Sequence, residues 1–239
     1  MRFTFPAIIS VFLSFPFVLG APTLFKRENV DYFDPRKGGG SLLNQSGGPG
    51  LGEPLNVIIS GKSSSGVLTA SGFLNYVRAV GYSVECFGQH QGARQPANLG
   101  DGNGPRDERH GCRSTKEVLR EHFGIPGLGT CLESLVGGNH LRTYRQDGPS
   151  ANSGALFLAV SQEKDLTDHH DIVPDGYNIG RDRFVNAAVG KKRFLWTEYT
   201  TTVQDVPGLL TLGSEGVNHG ISQDGIVKLL TVTSKFKLF

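Results

Sequence analysis

Apolar positions recur along this chain with two different periods, which divide it into strands and helices before any chemistry is considered. After Pro54 the β-branched run Asn56-Val57-Ile58-Ile59-Ser60, closed by Gly61, predicts a buried strand. Phe73, Leu74, Val77 and Val80 then repeat at helical spacing; Thr69 or Ser71 can cap the start and Gly81 suits a left-handed end. Ser114-Thr115-Lys116-Glu117 has the form of a capping box ahead of Val118 and Leu119, which predicts a second helix ending near Phe123 and Gly124. Residues 88–113, rich in Gly, Asn, Asp, Arg and Pro, predict a long loop or lid. Beyond Asn139, residues 141–145 read as a strand and 155–160 as a second one, apolar on both faces and therefore central, with a turn over 146–154. A third helix fits 181–188, with Asn178 as its cap and Phe184, Val185 and Ala188 inward. Residues 193–203 and 226–233 return to strand chemistry around a Gly-rich loop at 213–220. Strands outnumber helices, so the expected fold class is α+β: a single layered domain over 54–239, with a mixed or antiparallel β-sheet and about three helices.

The N-terminus changes the compartment. Residues 3–19 form an apolar run without charge, behind Arg2 and ahead of Gly20 and Ala21, which matches a signal peptide cut after residue 20. Pro6 and Pro16 and the short length argue against a membrane anchor. Secretion to the extracellular space follows, with no membrane engagement once the signal is removed. Lys26-Arg27 suits a kexin-type processing protease, or is a solvated charge pair. Residues 21–53, with three glycines at 38–40 and Gly-Gly-Pro-Gly-Leu-Gly nearby, read as a disordered leader, in which the sequon at Asn44 is an exposed glycosylation acceptor.

Charge excludes one class of partner. The formal net charge of +2 falls to +1 when residues 1–20 are removed and to −1 when the cut follows Arg27, so nucleic acid is a poor partner. The three cysteines are an odd number for an oxidising compartment. Cys86 and Cys131 have apolar or strand-like neighbours and are expected to pair; Cys112 lies in a charged stretch and is left over.

Candidate chemistry gathers in two segments. On a strand, alternation puts His140, Arg142 and Tyr144 on one face, with Arg145 close behind. Later come Asp168-His169-His170-Asp171 and Asp175, then Arg181-Asp182-Arg183. Three readings stand side by side. His140, His170 and Asp171 can ligate a divalent metal, the one cofactor this set admits, although no spacing is diagnostic. Arg142, Arg145 and Arg181 can hold an anionic substrate near a helix start, with His140, His170 and Asp175 as acid, base or orienting groups. Alternatively these groups form a structural network in which arginines pair with Asp171 or Asp182. Other motifs fail: a phosphate-binding loop ending at Lys62-Ser63 lacks its first glycine, and no Gly-x-Ser-x-Gly elbow occurs.

The segments Pro54-Leu55-Asn56-Val57-Ile58-Ile59, His140-Leu141-Arg142-x-x-Arg145, His170-Asp171-Ile172-x-Pro174-Asp175 and Arg181-Asp182-x-Phe184-Val185 resemble the C-terminal domain of LssY-type bacterial proteins. The same stretch, with Gly129-Thr130-Cys131-Leu132-Glu133-Ser134 and Gly216-Val217-Asn218-His219-Gly220, is similar to a group of fungal secreted proteins without assigned activity. The resemblance implies fold and compartment and supplies no reaction. Two functions are carried forward: a secreted, non-enzymatic protein that binds an extracellular ligand or cell-wall component, and a secreted hydrolase of a phosphoester or other anionic substrate.

Overall fold

The computed structural model describes residues 26–237 apart from 47, 85, 87–92, 107–117, 126 and 127. The signal segment, Cys112 and the capping-box residues 114–117 lie outside the described residues. The fold is α+β: the described residues form one eight-stranded mixed sheet and three α-helices. Its strands are β1 (Val57–Ile59), β2 (Tyr82–Val84), β3 (Val118–Glu121), β4 (Gly138–Asp147), β5 (Asn152–Glu163), β6 (Gly190–Phe194), β7 (Thr197–Pro207) and β8 (Ile226–Phe236). The helices are α1 (Ala70–Val80), α2 (Leu128–Val136) and α3 (Gly176–Ala188). In space the strands run β2-β3-β4-β5-β1-β8-β7-β6, and only β1 and β8 pair in parallel.

Alternation along the central strands sends side chains into two cores. Val57, Leu141, Leu158 and Val160 meet Phe73, Tyr76 and Val77 of α1 and Phe184 of α3 on one face. Ile58, Tyr144, Phe157 and Ala159 meet Leu42, Leu99 and Leu210 on the other. With both faces covered, β1 and β5 are buried throughout most of their length, as the apolar runs require.

Several expectations need correction. Residues 118–121 form β3 rather than a helix, because Val118, Leu119 and Arg120 find ladder partners in β4, and pairing across strands overrides local helix signals. The 193–203 run is broken by a two-residue turn of Leu195 and Trp196 into the hairpin β6–β7. Helix α3 starts at Gly176, so Asn178 lies inside it. The Gly-rich leader is packed, not loose, over the described residues from 26 to 53. Leu42 and Pro35 are buried, Tyr32 stands edge-on to Phe157 with ring centroids 6.3 Å apart, and Leu43 bridges to Pro54. Its glycines serve close approach: a side chain at Gly38 or Gly40 would collide with the backbone at Gly100 or Asn98.

The expected disulfide is present: Cys86 and Cys131 are bonded, with Cα atoms 4.8 Å apart, and tie the chain after β2 to α2. Among the described residues no helix is long and apolar enough to cross a membrane.

Candidate functional site

Strands β3, β4 and β5 present a row of polar groups at one end of the second sheet face. His140 lies opposite Ser161 of β5 and Arg120 of β3, Arg142 lies opposite Ala159, and Tyr144 lies opposite Phe157. The expected alternation therefore holds for His140, Arg142 and Tyr144. Small residues across the ladder leave space for the long cations, and the carboxylates that answer them arrive from elsewhere. Glu163 ends β5 on the same face, Glu133 comes from α2, and Glu53 comes from the segment ahead of β1.

Arg120 is the hub. Its Nη1 donates to Glu133 Oε2 at 2.8 Å and to Glu163 Oε2 at 2.7 Å. Glu163 Oε1 lies 3.2 Å from His140 Nδ1, and its Oε2 lies 3.7 Å from Nδ1 of His170. Ser161 Oγ lies 3.3 Å and 3.4 Å from the two ring nitrogens of His140. Arg142 Nε faces Glu53 Oε2 at 4.0 Å. His170 is carried there by the turn after β5, where Glu163 bridges to Ile172 and Lys164 N–H donates to the Asp171 carbonyl.

Burial decides the charges. Desolvation drives the His140 pKa down to about 4, with Arg120 and Arg142 acting the same way against the pull of Glu163, so the ring is neutral at pH 7. Burial also raises Glu163, but His140, Arg120 and His170 outweigh it and hold the carboxyl below its ordinary value. Glu133 is pushed up to about 7 by desolvation that Arg120 only partly offsets. Glu53 is raised by burial against the opposing field of Arg142.

The remaining predicted residues do not join this cluster. Asp171 is 57% exposed at its side chain and faces His219 at 4.0 Å. The carboxylate beside both histidines is Glu163, and it is held by Arg120. Among the described residues no group of three His, Cys, Asp or Glu side chains is arranged to hold a metal ion. Asp175 sits exposed at the start of α3 with φ +59°, its Oδ1 accepting from Asn178 Nδ2 at 2.6 Å. Arg145 falls on the opposite face of β4 from Arg142. Arg181, 2% exposed, is clamped by Asp224 through Nη1 and Nη2 at 2.6 and 2.8 Å and by Asp182 at 2.8 Å, which pins α3 to the entry of β8. The three arginines expected to share one anion thus occupy three places.

No family model, curated protein or solved structure matches the chain.

Sequence reasoning missed Arg120, Glu133, Glu163 and Glu53. The signal for Glu163 was available, since alternation from Ala155 carries through Ser161 to residue 163; Glu133 is a lone carboxylate within an otherwise uncharged helix. Asn44 is also differently placed. It is buried, its Nδ2 donates to Gln95 Oε1 and Tyr144 OH, and its Oδ1 accepts from Glu53 N–H, so the exposed glycan acceptor is not found. Beside it opens a groove of about 440 Å³, lined by Ser41, Leu43, Gln45, Pro49, Leu51 and Asn98 among others, with no charged side chain.

Proposed function

We propose that this protein is secreted and acts by binding rather than by turnover. One observation carries the reading: His140, Arg142 and Arg181, the groups a hydrolase of anionic substrates needs in contact with substrate, are buried at the sheet and α3 and face carboxylates of the chain itself. An imidazole with its pKa near 4 is also a weak base at neutral pH. The ion cluster then serves as a polar clamp joining β3, β4, β5, α2 and the 164–172 turn. Residues that carry the LssY-type resemblance, His140, Arg142, His170 and Arg181, mark that framework in this reading. The ligand surface is the neutral groove over 41–52 and Asn98, whose amides and hydroxyl suit an uncharged, hydroxyl-rich cell-wall carbohydrate. Secretion is supported by the N-terminal apolar run and by a disulfide suited to an oxidising compartment.

The test uses secreted full-length protein. N-terminal sequencing should read from Ala21 or Glu28, chromogenic phosphoesters and carboxyl esters should show no turnover above buffer, and insoluble glucan or chitin should deplete the protein from solution. Gln45→Trp, which fills the groove from an exposed position, should abolish that depletion. Turnover that disappears in His170→Ala would overturn the reading in favour of the hydrolase.

A further inference from the structure

The far edge of the sheet from the ion cluster carries a different kind of surface. Hairpin β6–β7 turns through Leu195 and Trp196, which are 69% and 56% exposed, and Phe236 at the end of β8 is 67% exposed beside them. The three side chains share one place: Phe236 is in register with Thr197, and Lys237 N–H donates to the Trp196 carbonyl at 2.8 Å. Leu195 holds φ +50°, a conformation that Gly or Asn adopts far more readily. A leucine there is strained and gains little from burial, so the fold itself does not account for it.

Charge around this tip is one-sided. Lys191, Lys192, Arg193, Lys235 and Lys237 flank it, and the only carboxylate in residues 190–198 and 234–237 is Glu198, which lies 3.9 Å from both Arg193 and Lys237. Arg78 adds a further cation behind the tip, its guanidinium 5.7 Å from the centre of the Phe194 ring. Cations alone would suit any polyanion; three exposed large apolar side chains at the apex suit a partner that has an apolar layer beneath its charge. Tryptophan settles at the boundary between headgroups and acyl chains, and lysine and arginine are drawn to anionic headgroups.

We propose that the tip formed by Leu195, Trp196 and Phe236 docks this protein onto an anionic lipid surface, the apolar side chains entering the headgroup boundary while the flanking lysines and Arg193 pair with lipid phosphates. Docking of this kind lies on a membrane and requires no spanning segment. It is independent of the groove and of the ion cluster.

Trp196 is the only tryptophan of the chain, so its fluorescence reports the tip directly. The full chain is mixed with phosphatidylcholine vesicles with and without phosphatidylglycerol. Emission should shift to the blue and the protein should pellet with the anionic vesicles only. Leu195→Ser, which keeps the fluorophore, should lose most of the shift, and Lys235→Glu with Lys237→Glu should lower partitioning at least ~10-fold, as each cation removed from an anionic surface weakens attraction. Unchanged thermal melts of both variants show that folding is retained. No shift on anionic vesicles, or an equal shift in both variants, overturns the proposal. Binding to a soluble sulfated polysaccharide without any vesicle-induced shift overturns it as well, and reassigns the cations to a polyanion.

Discussion

At Glu133 a single carboxyl reports whether the ion cluster is truly dry. Its Oε2 takes one bond from Arg120, while Oε1 is buried without a hydrogen-bond partner among the described residues. The pKa is pushed from 4.5 to about 7, so between those values the folded state holds a proton that the unfolded chain has released. Stability from this group is therefore greatest below pH 4.5 and declines as pH rises through 7. His140 runs the other way, with its pKa near 4: its contribution is present above 6.5 and is lost as pH falls toward 4. The two slopes oppose each other between pH 4.5 and 6.5, which leaves their sum nearly flat there. Glu133→Gln removes one slope and keeps an acceptor for Arg120. Urea unfolding at pH 4.5, 6 and 8 should show the variant gaining on the wild type with rising pH, by about 3 kcal/mol across the range. A constant difference would mean that water reaches Glu133.

Among the elements, α2 and α3 explain why some helices are legible and others are not. Helix α3 follows the usual pattern, with Tyr177, Phe184, Val185 and Ala188 inward and a glycine where it presses on the sheet. A Cβ at Gly180 would lie 2.5 and 2.6 Å from Ser161 backbone atoms and 2.7 Å from Asn139 Oδ1, whose amide donates to the Gly180 carbonyl at 2.8 Å. Gly180→Ala is expected to destabilise by about 1–3 kcal/mol despite the better helix propensity of alanine, and a lowered urea midpoint measures it. A neutral or stabilising result would show that α3 can lift from β5. Helix α2 inverts the pattern. It buries Gly129, Thr130, Glu133 and Ser134 and exposes Leu128, Leu132, Leu135 and Val136, so apolar periodicity points to the wrong face and sequence reading passed over it. Its anchors are an ion pair to Arg120 and a disulfide, both to residues distant in sequence.

For the whole molecule, the boundary of the folded unit lies further toward the N-terminus than composition implies. The described residues from 28 to 53 supply Tyr32, Leu42 and Leu43 to the second core and Glu53 to the ion cluster. A chain starting at Glu28 should therefore unfold at the same urea concentration as one starting at Ala21. One starting at Pro54 exposes that core and should fail to accumulate as folded protein, judged by size-exclusion chromatography and circular dichroism. A well-folded chain from Pro54 would restore the leader reading. Features set within a few residues were legible from the chain alone: α1 between its Thr69 cap and Gly81, the alternation that puts His140 and Arg142 on one face, and the polarity of surroundings that singled out Cys86 and Cys131. Tertiary structure alone decided that 118–121 is a strand, that glycines at 38 and 40 serve contact instead of flexibility, and that Glu163 rather than Asp171 faces the two histidines. The division is physical. Capping and periodicity act over one or two turns of chain, whereas strand pairing and desolvation depend on which distant segments close over a residue and exclude its water.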